Sequence, residues 1–220
     1  AEAPYSKVRL FFAKVGTLRF LSQLDLVRVI PRMFRRAGVE IGYSRGFSPQ
    51  PRMSFGPALA LGMGADEEVV DCDLLLPRSA EDMAGMLDDE TREAIAAALL
   101  ETLQPKAPPG MILLAARLVP SGERTLGELV AGADFAVDLR AVPAELRAGL
   151  AARVAEIMGS DELSLTREQR VKKKRNGKRK DAGSKLVTID LGPRLLAATV
   201  VQDGEQDELR FRLRTDIVGA

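Results

Sequence analysis

The sequence predicts an α+β protein of two tandem ferredoxin-like (βαββαβ) units with antiparallel sheets. Two observations lead there. Residues 7–120 order themselves as strand, helix, strand, strand, helix, strand, the arrangement of one such unit. A similar order recurs over residues 134–215 with no sequence repeat behind it, so element order alone carries the second unit. The two are expected to meet near residues 119–126. That gives an N-terminal unit over 1–120 and a C-terminal unit with a basic hairpin over 121–220.

In the first unit, residues 7–13 (KVRLFFA) read as a strand with Val8, Leu10 and Phe12 on one face of a period-2 pattern. Gly16 and Thr17 signal a turn. Ser22 and Asp25 then form a capping box, the hydroxyl satisfying orphan amides and the carboxylate sitting near the positive helix end. Leu24, Val27, Ile30, Phe34 and Ala37 follow at helical spacing, which predicts a helix over 23–37 ended by Gly38. Pro31 removes one backbone donor inside it. Residues 39–43 and 52–55 are short strand candidates around a Gly-, Ser- and Pro-rich loop at 44–51. Residues 67–76 (EEVVDCDLLL) alternate, directing Val70, Cys72, Leu74 and Leu76 to a core and Asp71 and Asp73 to water. Ser79, followed by Glu81 and Asp82, starts a helix that breaks near Asp88 and Asp89 and resumes as far as Pro105. Residues 111–120 (MILLAARLVP) read as a buried strand.

In the second unit, residues 134–140 form a strand with Phe135, Val137 and Leu139 on one side. Pro143 at the first helical position opens a helix that runs to Gly159. Residues 162–174 and 184–191 are two hairpin arms, with a charged, glycine-containing tip at 175–183. Residues 195–201 fit a short helix or a strand. Residues 208–215 alternate, with Leu209, Phe211 and Leu213 inward and Arg210, Arg212 and Arg214 outward.

A net charge of +1 conceals strong local imbalance. In residues 7–62, ten Lys and Arg side chains face only Asp25 and Glu40, while residues 57–110 are dominated by Asp and Glu. Such blocks create a dipolar surface field. The chain has no histidine, which removes His-based acid/base catalysis, Ser-His-Asp triads and His-ligated metals. Its single cysteine, Cys72, allows no internal disulfide and no self-contained iron–sulfur cluster or structural zinc site. Cys72 lies on the predicted core face and reads as packing. No apolar run reaches the roughly 18 residues of a membrane helix, and residues 1–9 lack a signal-peptide core, so a cytoplasmic protein is expected.

Two stretches are suited to a polyanion. The run RVKKKRNGKRK at 170–180 is dense enough to neutralise phosphates, although a solvated hairpin tip explains it equally well. The loop YSRGFSPQPRMSFG at 43–56 mixes aromatics, arginines and hydroxyls, as an RNA-contacting groove does. Within it Tyr43 and Phe55 also fit ordinary core positions, whereas Arg45, Phe47 and Arg52 occupy the least regular part. The expected anion- or nucleic-acid-binding residues are Arg19, Arg28, Arg32, Arg35, Arg36, Tyr43, Ser44, Arg45, Phe47 and Arg52 in the first unit. Lys172, Lys173, Lys174, Arg175, Lys178, Arg179 and Lys180 complete the set in the second. No catalytic or metal-ligating residue is assigned. The carboxylates at 66–73 fit a solvated face better than a cation site.

The motifs K-x-G-x-L-R-F-L-S-x-L-D-L, R-R-A-G, Y-S-x-G-F-x-P-x-P and S-F-G-P-A-L-x-L-G fill the first quarter of the chain, and TLGELVAGADFAVDL and VTIDLGPRL follow later. Together they resemble the bacterial radical-SAM-associated protein family. Gln23 stands where many relatives carry His, and Ser48 where they carry Asn or His. The resemblance implies a partner, a radical SAM enzyme encoded nearby or fused, which would itself carry the iron–sulfur cluster and S-adenosylmethionine; no cofactor is expected in this chain. The expected function is a non-catalytic partner domain that binds RNA or another polyanion. Two further readings stay open: an enzyme acting on RNA or a phosphorylated small molecule through Tyr43, Ser44 and Arg45, and a pure protein-interaction module.

Overall fold

Strand β1 (Ser6–Lys14) is hydrogen-bonded on both sides, to β4 (Ala65–Leu75) and to β5 (Met111–Leu118), so it forms the middle of the first sheet. The computed structural model describes residues 5–76, 87–120, 122–160, 162–175, 178–202 and 207–214, with the side chains of 170–182 outside that description. The expected helix start at Ser79, Glu81 and Asp82 therefore lies outside the described residues. The chain is mixed α and β with antiparallel sheets, and it divides into compact units at 1–129 and 130–220.

In the first unit the elements run β1, α1 (Gln23–Arg36), β2 (Glu40–Ile41), β3 (Met53–Phe55), β4, α2 (Asp89–Leu103), β5 and a short α3 (Leu126–Leu129). The sheet order is β2-β4-β1-β5, and β3 pairs with β4 as well. Val8, Leu10 and Phe12 of β1 and Val70, Cys72 and Leu74 of β4 form a buried face. Leu26, Ile30, Met33 and Phe34 of α1 and Ala96, Leu99 and Leu103 of α2 complete this core. Each large side chain so buried stabilises the fold by about 1.5–3 kcal/mol relative to exposure. The turn expected at Gly16 is a 3-10 turn spanning Gly16–Phe20. Gly110 is required beside it. Its φ is +86°, and a Cβ there would stand 2.4 Å from the Val15 carbonyl oxygen.

Helix α1 begins as its sequence dictates. Asp25 N–H donates to Ser22 Oγ at 3.3 Å, and the Asp25 carboxylate accepts from the Ser22 N–H at 3.0 Å and its hydroxyl at 2.7 Å. These bonds hold the Asp25 carboxyl below its usual range. The apolar stripe is Leu26, Ile30, Met33 and Phe34, and Leu24 is exposed, contrary to the expected stripe. The two stripes share Ile30 and Phe34, so periodicity alone does not choose between them.

One sequence expectation is overturned outright. Asp71 does not face water: it and Arg9 are each 4% exposed and directly opposite in the β1–β4 register. Arg9 Nε donates to Asp71 Oδ1 at 2.7 Å and Nη2 to Oδ2 at 2.9 Å, a bidentate pair. Its Nη1 reaches Glu123 Oε1 at 3.1 Å. Lys14 is also buried, its ammonium 3.9 Å from Glu68, whose carboxyl burial pushes up while Lys14 pulls it down. Charges counted as surface cations in the sequence are thus interior. The β5 strand, expected to be buried, is an edge strand with Met111, Leu113 and Leu118 inward and Ile112 and Leu114 exposed.

The second unit departs from the expected order. Its sheet is β6 (Gly132–Asp138), β10 (Asp207–Arg214) and β9 (Leu195–Gln202), in the order β6-β10-β9. Among the described residues, strands β7 (Ser164–Arg175) and β8 (Lys178–Asp190) pair only with each other, and no helix separates them from β9 and β10. The expected helix is two, α4 (Ala144–Arg147) and α5 (Leu150–Met158), because Gly149 takes φ +76° between them. Pro143 caps α4 rather than occupying its first turn. The hairpin is longer than expected, with 178–183 as strand instead of loop. Residues 195–201 resolve to strand β9. Phe135 stacks on Phe211 at 5.0 Å between ring centres, and Arg212 makes a bidentate pair with Asp134.

The buried pair and the helix cap can each be tested. Asp71→Asn takes the bidentate carboxylate from the buried Arg9 guanidinium, leaving it only the Glu123 contact, and should cost up to about 3–5 kcal/mol in urea denaturation, while the double change Arg9→Met with Asp71→Leu should recover most of it. For Asp25 the folded pKa is the lower one, so its stabilisation is present above the ordinary Asp value of about 3.9 and disappears as pH falls through the folded value. The melting-temperature gap between wild type and Asp25→Asn should therefore be widest near neutrality and close on acidification, as followed by circular dichroism.

Candidate functional site

The amphipathic build of α1 sets one side of the site. Because Leu26, Ile30, Met33 and Phe34 face the sheet, Arg28, Arg32, Arg35 and Arg36 stand exposed along the outer face, at spacings of four, three and one residue. Arg36 is tethered, its Nη2 donating to the Lys106 carbonyl at 2.6 Å. Arg28, Arg32 and Arg35 have no carboxylate within ion-pair distance among the described residues, although Arg28 lies near enough to Asp25 to stabilise its charged form. Arg35 and Arg36 also suit the negative end of the helix dipole.

The loop at 43–52 forms the other side, and the sheet edge explains its position. Glu40 and Ile41 of β2 pair with Leu75 and Leu74, and Met53, Ser54 and Phe55 of β3 with Cys72, Asp71 and Val70, all on one edge of β4. Between them, at Asp73, the chain leaves the sheet and returns. Gly42 N–H donates to the Asp73 carbonyl at 2.8 Å, Asp73 N–H to the Arg52 carbonyl at 3.1 Å, and Arg52 N–H to the Gly42 carbonyl at 2.8 Å. Above this junction Tyr43 bridges Pro51, Ser44 N–H donates to the Gln50 carbonyl at 2.8 Å, and Gln50 N–H donates to Ser44 Oγ at 2.9 Å. The loop expected to be irregular is therefore pinned at its base. Ser44 serves that geometry, and Tyr43, held in the sequence to fit a core position, is exposed. Phe55 is partly buried against the core.

Two clefts share Tyr5, and the first of them lies between these parts. One, of about 400 Å³, is lined by Arg35 and Glu40 together with Tyr5, Tyr43 and Pro31. The other, of about 370 Å³, is lined by Tyr5, Lys7, Arg52, Asp73, Arg92 and Glu123 among others. Both tyrosines of the chain line the first, and Tyr5 belongs to both. The Arg52 guanidinium lies 5.8 Å from the Tyr5 ring centre and 2.8 Å from Asp73 Oδ2, so its charge is shared with a carboxylate. Phe47, at the loop tip, is fully exposed.

Of the residues singled out in the sequence, the structure brings Arg35, Tyr43 and Arg52 to these clefts and puts Arg28 and Arg32 on the same helix face. Arg45 and Phe47 project with the loop. Arg19 stands apart in the 3-10 turn, its guanidinium 4.9 Å from the centre of the Phe20 ring, and it lines neither cleft. Lys172, Lys173, Lys174, Arg175, Lys178, Arg179 and Lys180 belong to the second unit, on paired backbone of β7 and β8, and their side chains lie outside the described residues. Sequence reasoning missed Tyr5, Lys7 and Arg92; no motif marks them, and only the tertiary fold brings Tyr5 and Lys7 at β1 and Arg92 on α2 to the cleft that Arg52 lines. Cys72 is buried as expected, and burial, with Asp71 and Asp73 adding to it, pushes its thiol up.

Among the described residues no cluster of three or more His, Cys, Asp or Glu side chains could hold a metal ion, and no helix is long and apolar enough to cross a membrane. No curated protein matches the chain. Residues 7–211, which include the helix that carries the arginine stripe but not Tyr5, match a family described as an uncharacterised protein conserved in bacteria (DUF2344), and the chain belongs to that family.

Proposed function

We propose that this chain is a non-catalytic domain that binds RNA, or another phosphate-rich polyanion, on behalf of a radical SAM enzyme. The observation that supports it most directly is the stripe of Arg28, Arg32 and Arg35, exposed and without ion-pair partners among the described residues, running beside a cleft that holds both tyrosines. Exposed arginines of this kind contact phosphate oxygens through planar, bidentate donors. The strand order of the first unit supports a ferredoxin-like reading of that unit alone, an architecture that supplies the platform without dictating its ligand. The link to a radical SAM enzyme rests on the sequence motifs, and its iron–sulfur cluster and S-adenosylmethionine would belong to that enzyme.

The absence of histidine and the structural employment of Ser44 weigh against the enzymatic alternative. Arg52, paired with Asp73, is better suited to orienting a ligand than to tracking phosphates.

Affinity for single-stranded RNA should fall linearly on a log–log plot against salt. Replacing Arg28, Arg32 and Arg35 together by Gln should flatten the slope by about 2, at ~0.7 for each phosphate no longer neutralised. Fluorescence anisotropy over a sodium chloride series reads both quantities, and a slope that the triple variant leaves unchanged counts against the stripe. The enzyme partnership is tested by affinity capture from nuclease-treated bacterial lysate. Recovery of a radical SAM protein is expected, and its absence would confine the proposal to polyanion binding.

A further inference from the structure

We infer that the loop at 43–51 reads single-stranded nucleic acid, with Phe47 stacking on an unpaired base while the α1 arginines hold phosphates of the same strand. The inference deepens the polyanion reading above and rests on it. Phe47 is fully exposed, so its ring takes no part in the core and both its faces are open to a partner outside the chain. The ring is presented rather than merely loose. The loop interrupts a sheet edge at Asp73, is closed by the Tyr43–Pro51 bridge and the two Ser44–Gln50 hydrogen bonds, and turns at Gly46 with φ +140°.

The chemistry around the ring selects the kind of partner. Every residue from Tyr43 to Gln50 is exposed, and Phe47 has Ser44, Arg45, Ser48 and Gln50 for company. The exposed apolar patches that mark protein docking surfaces run to several hundred Å², and one ring on a polar loop does not make such a patch. A solitary aromatic in a polar, cationic setting matches base stacking, which needs only one ring face and tolerates any base. A duplex keeps its bases inside, so the preferred ligand is an unpaired strand. Geometry permits one strand to engage both features. Tyr43 lines the cleft with Arg35, and Phe47, four residues on, lies within about 14 Å of it even at full extension.

The chain has no tryptophan, so Phe47→Trp installs a single reporter at the tip. Titration with a mixed-sequence single-stranded RNA oligonucleotide should quench that variant's emission, whereas its blunt duplex and heparin, a polyanion without bases, should not. Phe47→Ala should weaken the single strand roughly 5- to 150-fold while leaving heparin affinity and the salt slope unchanged. The ring makes no buried contact, so neither substitution threatens the fold. If the single strand binds with normal salt dependence but emission stays constant and Phe47→Ala binds equally well, the stacking role is overturned, phosphate tracking stands, and the exposed ring is left as a protein contact. Failure of wild-type protein to bind both RNA and heparin overturns the parent reading and this inference with it.

Discussion

The first unit depends on a charge pair placed between its two central strands. Arg9 and Asp71 face one another across β1 and β4, nearly out of contact with water. Two charges in such a place are tolerable only while each satisfies the other. A slip of one residue would set Arg9 against Val70 or Cys72 and turn the apolar face of the slipped strand away from the core. The pair therefore makes the register expensive to change, and the register carries the rest: the side of β4 on which β2 and β3 form, the point at Asp73 where the loop leaves, and the face on which α1 rests.

How much of this was legible depended on the range of the interaction concerned. Local signals worked. Ser22 and Asp25 announced the start of α1, and alternation placed Val8, Leu10 and Phe12, and Val70, Cys72 and Leu74, on the core. Interactions between distant segments did not declare themselves. Asp71 has the pattern of a solvated strand position, and its burial follows only from Arg9 standing opposite and Glu123 approaching Arg9. In the second unit, periodicity found the strands but could not say which would pair, so a hairpin standing on its own was read as part of a sheet. Gly149 falls inside the single helix read from Pro143 to Gly159, and its positive φ splits that helix in two.

The candidate site was half legible for the same reason. The arginine stripe follows from helical spacing, and the loop's composition marked it out. The cleft between them is tertiary: Tyr5 and Tyr43 lie far apart in sequence and meet because β1 and the β2–β3 edge belong to one sheet. Charge counting also misled, since Arg9 and Lys14 serve the interior and Arg52 leans on Asp73. What remains for a ligand is a smaller and more localised set of cations than the sequence promised.

The divided edge of the first sheet has a consequence for solubility. An uninterrupted border strand exposes a row of free amides and carbonyls that a second molecule can extend, which is how ordered aggregates begin. On this side the border consists of two residues in β2 and three in β3, with a pinned protrusion between them. Neither piece is long enough to template another chain, and the protrusion obstructs approach along the border. The segment that presents Phe47 thus also guards the sheet, and shortening it into a continuous strand would leave an adhesive border in its place.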